Sequence, residues 1–421
     1  MTNWSPQQDR ALMEVSRWLQ SPGDQQLFRL FGYAGTGKTT LAKHLAQDVD
    51  GTVLFAAYTG KAASVLRNSG ALGAQTLHSL IYNPKGKSQE RLGELKQELV
   101  EVQHMIQEDR MESGAANDPD WEPNRALADR EQRLKGEIRM EEKNVQRPDF
   151  SLNLDSSLRH AALLVVDECS MVDEEMAQDI LSFKVPVLVL GDPAQLPPVN
   201  GAGYFTDAKP DVMLTEIHRQ AKDNPIVALA TRVRNGERLD HGTYGDSAVI
   251  HRATPELALA ADQLLVGKNT TRAATNRRVR ELRGYDSSHW PREGEKLVCL
   301  RNDRELGLLN GTLHVATQDA EELGGYVSLH CRPEEGGEPV CVPAHCEHFH
   351  GDPEQIGYWD RLNAQEFTYG YALTVHKSQG SQWGRIMIID ESSVFRQRDT
   401  RQKWLYTAIT RAQEAVTVVR G

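Results

Sequence analysis

The sequence predicts an α/β chain built on two parallel sheets, with a helical hairpin interrupting the first and a small β-barrel inserted into the second. Three observations predict it. Short apolar runs that end in polar residues alternate with helical stretches, the pattern of parallel strands with ligands at their carboxyl ends. A highly charged segment of roughly 60 residues, Gln89 to Arg147, breaks that pattern with apolar residues at helical spacing. A stretch rich in Gly, Pro and short strand-like runs, Gly294 to about Phe367, breaks it again. At 421 residues the chain is too long for one core and implies two to four domains.

The first strand is read at Gln26 to Phe31, followed by Gly32 to Thr39, G-Y-A-G-T-G-K-T, which fits the phosphate-loop pattern G-x-x-x-x-G-K-[ST]. Helix formers follow from Thr40 to Ala46. The glycines let backbone N–H groups turn inward around a phosphate, and the helix start adds its positive end. Gly35, Thr36, Gly37, Lys38, Thr39 and Thr40 are the candidate nucleotide cradle. Lys38 can reach the β and γ phosphates, and Thr39 can ligate Mg²⁺. The implied ligands are ATP and Mg²⁺.

The remaining strands of the first sheet are read in "TVLFAAYTG" (Thr52 to Gly60), "HAALLVVDE" (His160 to Glu168) and "VPVLVLGD" (Val185 to Asp192). "LLVVDE" ends a buried strand in two carboxylates. Asp167 is the candidate metal residue and Glu168 the candidate general base. In "LVLGDPAQLPPV", Gln195 is an amide placed to sense a γ-phosphate and the attacking water, on a loop stiffened by proline. Arg219 in "LTEIHRQ" and Arg411 in "LYTAITRAQ" are candidate cations for the transition state, where the planar guanidinium fork suits phosphate oxygens.

The charged segment carries two narrow apolar stripes. Leu92, Leu95, Leu99, Val102 and Ile106 form one; Leu127, Leu134, Ile138 and Val145 form the other. The break between them, Ser113 to Asn124, holds Gly, Pro and Asp. About fifteen acidic against ten basic residues place roughly half of the net charge of −11 in this arm. The acidity, which argues against a nucleic-acid binder, is therefore partly local. A solvated coiled-coil-like arm without chemistry is the plain alternative.

"AADQLLVGKN" and "GRIMIIDES" read as strands of the second sheet, and "EKLVCLRN", "GTLHVATQ", "GYVSLHC" and "EPVCVPA" as the barrel between them. Three short stretches supply hydroxyls, imidazoles and lysines of the kind that contact phosphates and sugars without reading bases. They hold Thr59 and Lys61, then Thr76 and His78, then Thr374, His376 and Lys377 before Gly380, read as a helix-starting glycine. His78 taken alone reads more readily as a structural histidine. The basic run Thr275 to Gly284 is either a nucleic-acid-facing patch or a solvated helix face. The crowding of Cys341, His345, Cys346, His348 and His350 does not match a standard zinc spacing, so these are read as barrel residues. Five thinly spread cysteines suggest a reducing compartment, and the N-terminus lacks the pattern of a signal peptide, so a cytoplasmic protein without membrane spans is expected.

Taken in order, these motifs resemble a superfamily 1B DNA helicase of the Dda/RecD type, over Ser5 to about Asn83 and His160 to Val419. S-x-x-Q-x-x-A at Ser5 to Ala11 makes Gln8 similar to the family's adenine-reading glutamine. The resemblance implies two RecA-like domains around Mg·ATP. Gln8, Lys38, Thr39, Asp167, Glu168 and Gln195 would come from the first, and Arg219, Gly380 and Arg411 from or near the second. It implies 5′→3′ movement on single-stranded DNA, contacts from Thr59, Lys61, Thr76, His78, Thr374, His376 and Lys377, and an SH3-like barrel. The expected boundaries are 1–84 with 151–210 for the first RecA-like domain and 85–150 for the hairpin insertion. The second takes 211–291 with 368–421, and the barrel 292–367. The implied partners are single-stranded DNA and single/double-strand junctions, with a replication or repair protein on the arm; the chain is expected to be a monomer. Competing outputs are a translocase that strips proteins from single strands, an RNA helicase, and a nucleotide-gated interaction module.

Three departures stand out. Tyr58 takes the place of the family's Pro before Thr59, and Gln382 that of a Glu. The helical arm occupies the place of a compact strand-separating hairpin, so the arm or a short element at its base is expected to split strands or meet a partner.

Overall fold

The computed structural model describes residues 4–21, 25–112, 124–146, 150–197, 203–216, 224–286, 290–303, 306–356, 361 and 363–421. These form two compact units, Leu77–His160 and Met1–Thr76 with Ala161–Gly421.

The larger unit holds both parallel sheets. In the first, the strand order is Gln75–Thr76, Val53–Ala57, Leu163–Asp167, Val187–Gly191, Leu27–Gly32 and Val212–Leu214, all parallel. Leu163 to Val166 and Val187 to Leu190 are buried, as near-continuous apolar strands covered on both faces should be. Helices Pro6–Gln20 and Lys38–Gln47 cover one face, packing Ala11, Val15, Leu41 and Leu45 on Phe28, Leu30, Leu163 and Leu188. Ser5 starts the first helix with a capping box: its hydroxyl accepts from Gln8 N, and Gln8 Oε1 accepts from Ser5 N. The register pairs Ala57 with Asp167 and Phe31 with Gly191, so the carboxyl ends of these strands lie side by side.

The second sheet runs Ala372–Thr374, Gln263–Val266, Trp383–Ile389, Ala412–Val419, Ser247–Ile250 and Gly242–Tyr244, parallel except for the last strand. Helices Pro225–Arg234 and Arg398–Ile409 pack Leu229, Val233, Trp404 and Leu405 against Ile386, Ile388, Val416 and Val418.

Between the second sheet's strands the chain forms an antiparallel sheet, Glu321–Leu323, Tyr326–Pro333, Leu313–Ala316, Lys296–Cys299 and Phe367–Tyr369, with Val340–His345 on the free edge of Tyr326–Pro333. Strands stand where the sequence suggests them. The ladders give a six-stranded sheet, and a bridge between Ala344 and Gln365, with hydrogen bonds from His345 N to Gln365 O and from Gln365 N to Pro343 O, ties its edge strand Val340–His345 to the chain just before Phe367–Tyr369. Its core of Leu297, Val327, Leu329, Val342 and Phe367 continues onto Leu264, Val279 and Met387 of the second sheet's surround.

The basic run Thr275 to Gly284 is not simply a surface patch. Asn276, Val279 and Arg280 of helix Asn269–Leu282 are buried. Arg280 meets Glu295 through Nε at 2.9 Å and Nη2 at 3.1 Å, and Tyr371 donates to the same carboxylate at 3.1 Å. A bidentate fork with a third donor is the geometry that lets a charge pair sit inside a core. This arginine fastens the inserted sheet to the second parallel sheet.

In the smaller unit, helices Lys85–Glu112 and Arg125–Gln146 pack through Leu95, Val102, Leu134 and Ile138. Arg130 bridges to Glu98 at 2.6 Å and Gln103 to Glu131 at 3.1 Å. Each buried leucine contributes about 2 kcal/mol, so a one-residue-wide seam holds two otherwise solvated helices. At the base of this pair, Tyr82–Pro84 and Phe150–Leu152 form a two-stranded antiparallel ladder. Among the described residues no helix is long and apolar enough to cross a membrane.

Candidate nucleotide site and nucleic-acid face

The phosphate loop connects strand Leu27–Gly32 to helix Lys38–Gln47. Gly35 and Gly37 have φ of 79° and 78°, a left-handed backbone that a side chain would strain, and it is this turn that aims successive N–H groups inward. Lys38 Nζ donates to the carbonyls of Gly32 at 2.7 Å and Tyr33 at 3.2 Å, folded onto its own loop. Gln8 is buried and donates to Thr36 O at 3.1 Å, tying the first helix to the loop. Thr36 is buried and Thr40 exposed.

Thr39 Oγ1 donates to Asp167 Oδ2 at 2.8 Å. The Asp167 carboxyl is held above its ordinary range by burial first and by the Glu168 charge second, against the pull of the Thr39 bond, the Glu168 N–H and Lys38. Glu168 stands at φ 51°, a strained position for a non-glycine residue, with its N–H donated to Asp167 Oδ1 at 2.8 Å. A hydroxyl and a carboxylate at this spacing fit Mg²⁺, which keeps its waters and takes its other oxygens from phosphates. The extra positive charge would also relieve the paired carboxylates. The donor set therefore suits the ion. Among the described residues no group of three or more His, Cys, Asp or Glu gathers as a metal cage; Cys341 Sγ lies 3.3 Å from His330 Nε2.

The second sheet reaches into this site. Arg411, 2% exposed, brings Nη1 to 3.9 Å from Glu168 Oε1. With the amide turned to satisfy both neighbours, Gln195 donates to Glu168 Oε2 at 3.1 Å and accepts from Arg411 Nη2 at 3.2 Å. Arg411 is braced by Thr407 O and Ser381 O. Carboxylate, amide and arginine thus form one connected group. Arg219 lies outside the described residues.

Several contacts here escape a motif-based reading. Tyr406 donates to Asp192 Oδ2 at 2.6 Å and accepts from Ala34 N of the phosphate loop at 3.0 Å. Thr407 Oγ1 accepts from Leu196 N at 2.9 Å, and Gln379 donates to Leu196 O at 2.8 Å. Arg234 stacks its guanidinium 3.6 Å from the Tyr33 ring centre. A cavity of about 120 Å³ lies among Tyr33, Ala34, Asn224, Arg234, Gln382 and Tyr406. Tyr406 and Thr407 sit inside the "LYTAITRAQ" stretch already singled out for Arg411, which is the signal that could have found them.

Of the candidate nucleic-acid residues, Thr76 and Thr374 end strands and the others lie in the caps, helices and turn that follow strands. Thr59 caps helix Gly60–Asn68 by accepting from Ala62 N. Lys61 is ion-paired to Glu335 at 2.8 Å and lies 5.5 Å from the Trp383 ring centre. Thr76 ends its short strand, paired to Ala57. Thr374 is paired to Val266 and accepts from Lys377 N at 3.4 Å. Burial lowers the His376 imidazole, and burial with Arg272 nearby brings the Lys377 amine down to about 8. His78 belongs to the smaller unit, where its ring is tilted against Tyr82. Gly380 starts no helix, contrary to expectation. It sits at φ 75° between the turn His376–Ser378 and strand Trp383–Ile389. A Cβ there would meet Thr59 Oγ1 at 2.5 Å, so the glycine serves close approach between the sheets' loops.

Residues 4–255 match the AAA domain family, and residues 369–419 match the UvrD-like helicase C-terminal domain. The chain is 28% identical over 284 residues to the ATP-dependent RecD2 DNA helicase of Deinococcus radiodurans, which covers 60% of this chain and 35% of that one. It is 26% identical over 306 residues to the RecBCD enzyme subunit RecD of Mycobacterium tuberculosis, covering 61% and 49%. The chain thus spans between a third and a half of the length of these curated relatives. Among solved structures, a Pif1 helicase from a study of unwinding at forked duplex DNA superposes with a TM-score of 0.53 at 18% identity, over 99% of this chain and 92% of that one. Bacteroides Pif1 bound to single-stranded DNA gives 0.51 at 17%, with the same coverage. At such identity the likeness establishes the α/β fold.

Proposed function

The chain belongs to the AAA domain family and, with its UvrD-like C-terminal segment, to the superfamily 1B helicases of the RecD/Dda type; from that premise we propose that it is an ATP-driven DNA helicase that moves 5′→3′ along a single strand and opens the duplex ahead. One observation carries the reading: Arg411 of the second sheet joins Glu168 and Gln195 of the first in a single hydrogen-bonded group. A site assembled from two sheets makes hydrolysis depend on their closure, which is what a motor requires and a simple nucleotide-gated switch does not.

In this reading Lys38 leaves the Gly32 and Tyr33 carbonyls for the β and γ phosphates, while Gln8 exchanges its bonds with Ser5 N and Thr36 O for the adenine edge. Gly35, Thr36, Gly37 and Thr40 shape the cradle. Thr39 and Asp167 would hold Mg²⁺, which would supply positive charge to the phosphate oxygens. Gln195 orients the attacking water and Glu168 accepts its proton. The Arg411 fork, with Arg219, steadies charge as the γ-phosphoryl is transferred, releasing ADP and phosphate. Thr59, Lys61, Thr76, His78, Thr374, His376 and Lys377 contact the strand, and Gly380 lets the two sheets' loops approach.

The two parallel sheets are assigned as RecA-like domains with the boundaries expected from the sequence, and the antiparallel sheet as an SH3-like element. We assign strand separation to the arm or to the ladder at its base; removing Ser88–Arg147 should abolish unwinding while leaving hydrolysis, and unchanged unwinding would dismiss this. The chain is taken to act as a monomer, with the arm offered to a replication or repair protein. The reading is tested by hydrolysis of Mg·ATP with and without single-stranded DNA, using Lys38→Ala as the blank. Stimulation by DNA supports it. Hydrolysis indifferent to DNA, or stimulated only by RNA, overturns it.

A further inference from the structure

The contact between Tyr406 and the phosphate loop has no part in the scheme above. Tyr406 is 2% exposed and lies on helix Arg398–Ile409, which packs on the second sheet. Its hydroxyl is used twice, donating to Asp192 at 2.6 Å and accepting the Ala34 N–H at 3.0 Å. Asp192 is itself buried and directly follows strand Val187–Gly191. It also lies within electrostatic reach of Lys38. The hydroxyl therefore stands at the end of the cradle that holds the Lys38 ammonium, where the terminal phosphate of a triphosphate belongs. A backbone N–H of a phosphate loop is a donor that the ligand's oxygens compete for. Here it is already taken by a side chain from the other sheet. The neighbouring Asp192 loop is held to the same helix through Leu196 N and Thr407 Oγ1.

We propose that Tyr406 is a positioning residue that latches the phosphate loop to the helix packed on the second sheet and is displaced by the terminal phosphate of a nucleoside triphosphate. Loss of the Ala34 bond frees the hydroxyl and lets helix Arg398–Ile409, which ends next to Arg411, register that a triphosphate has arrived. A diphosphate, lacking that group, leaves the latch in place. The inference rests on the nucleotide-site reading but not on the motor.

The test compares full-length wild type with Tyr406→Phe, which keeps the ring and removes the hydroxyl. Dissociation constants are measured for a fluorescent ADP and a fluorescent non-hydrolysable ATP analogue with Mg²⁺, alongside the thermal midpoint. The latch predicts that the variant binds the ATP analogue about fivefold more tightly relative to ADP. A purely structural role would change both affinities together and leave their ratio fixed. Should Tyr406→Phe not fold, Asp192→Asn weakens the hydroxyl's second bond, which holds it in place for Ala34 N–H, and should shift the ratio in the same direction by less. An unchanged ratio in the variant that folds, or wild type that fails to bind either nucleotide, overturns the latch. Wild-type hydrolysis that ignores DNA would sink the motor reading alone, since the affinity ratio still decides the latch.

Discussion

Glu335 should act as a built-in competitor for the strand that Lys61 is proposed to hold, and Glu335→Gln should tighten binding to single-stranded DNA. The Lys61 side chain is 12% exposed, Glu335 is 35% exposed, and they meet at 2.8 Å. A partly exposed pair of this kind contributes about 0.5–1 kcal/mol. Freeing the ammonium for a phosphate should therefore tighten binding roughly two- to fivefold at low salt. Because one more phosphate is neutralised, the log–log dependence of affinity on salt should steepen by about 0.7 for a single strand. The Trp383 ring keeps Lys61 in place after its partner is lost, so the amine stays positioned. The assay is anisotropy of a labelled oligonucleotide between 50 and 300 mM salt, on the order of the range over which such slopes are read, for wild type, Glu335→Gln, Lys61→Ala and the double variant. The gain should vanish in the Lys61→Ala background. A gain that persists there, or no gain at all, refutes the reasoning.

Three further outcomes are expected. Arg411→Ala should lower DNA-stimulated kcat by about 10³-fold or more with nucleotide affinity little changed, and Arg411→Lys should recover little of it because a point charge does not replace the fork; steady-state hydrolysis checks both. The Lys377 amine, lowered to about 8 mainly by burial, binds phosphate only when protonated. DNA affinity should thus be full below that value and fall as pH rises through it, whereas Lys377→Arg should stay flat between pH ~7 and ~9.5, as anisotropy would show. Arg280→Ala should destabilise the larger unit by about 3–5 kcal/mol by leaving Glu295 buried and unpaired, while Arg280→Met with Glu295→Leu should come close to neutral in denaturant unfolding.

The phosphate loop and the Asp167–Glu168 strand end are legible in the sequence because their chemistry needs neighbouring residues on one strand–loop–helix unit. The antiparallel strands and the paired helices of the arm are legible from periodicity for the same local reason. Tyr406 is not, because its partners Ala34 and Asp192 are far away in the chain and only the packing of helix Arg398–Ile409 brings them together. Arg280 is hidden differently. Within a run of four arginines, helical spacing alone cannot say which one faces inward, and the choice is made by Glu295 and Tyr371 from other elements. Gly380 misleads because a glycine after a polar cluster resembles a helix start, whereas here the left-handed turn leads into a strand. The Lys61–Glu335 pair joins a helix start to the hairpin of the inserted sheet, a contact that no motif encodes.

The most direct test of the proposed motor is unwinding of two duplexes identical except for a 5′ or a 3′ single-stranded tail, under Mg·ATP, with Lys38→Ala as the blank. Opening of the 5′-tailed duplex alone, abolished in the blank, is the predicted result. Opening of the 3′-tailed duplex alone, or of neither while DNA still stimulates hydrolysis, would contradict the account.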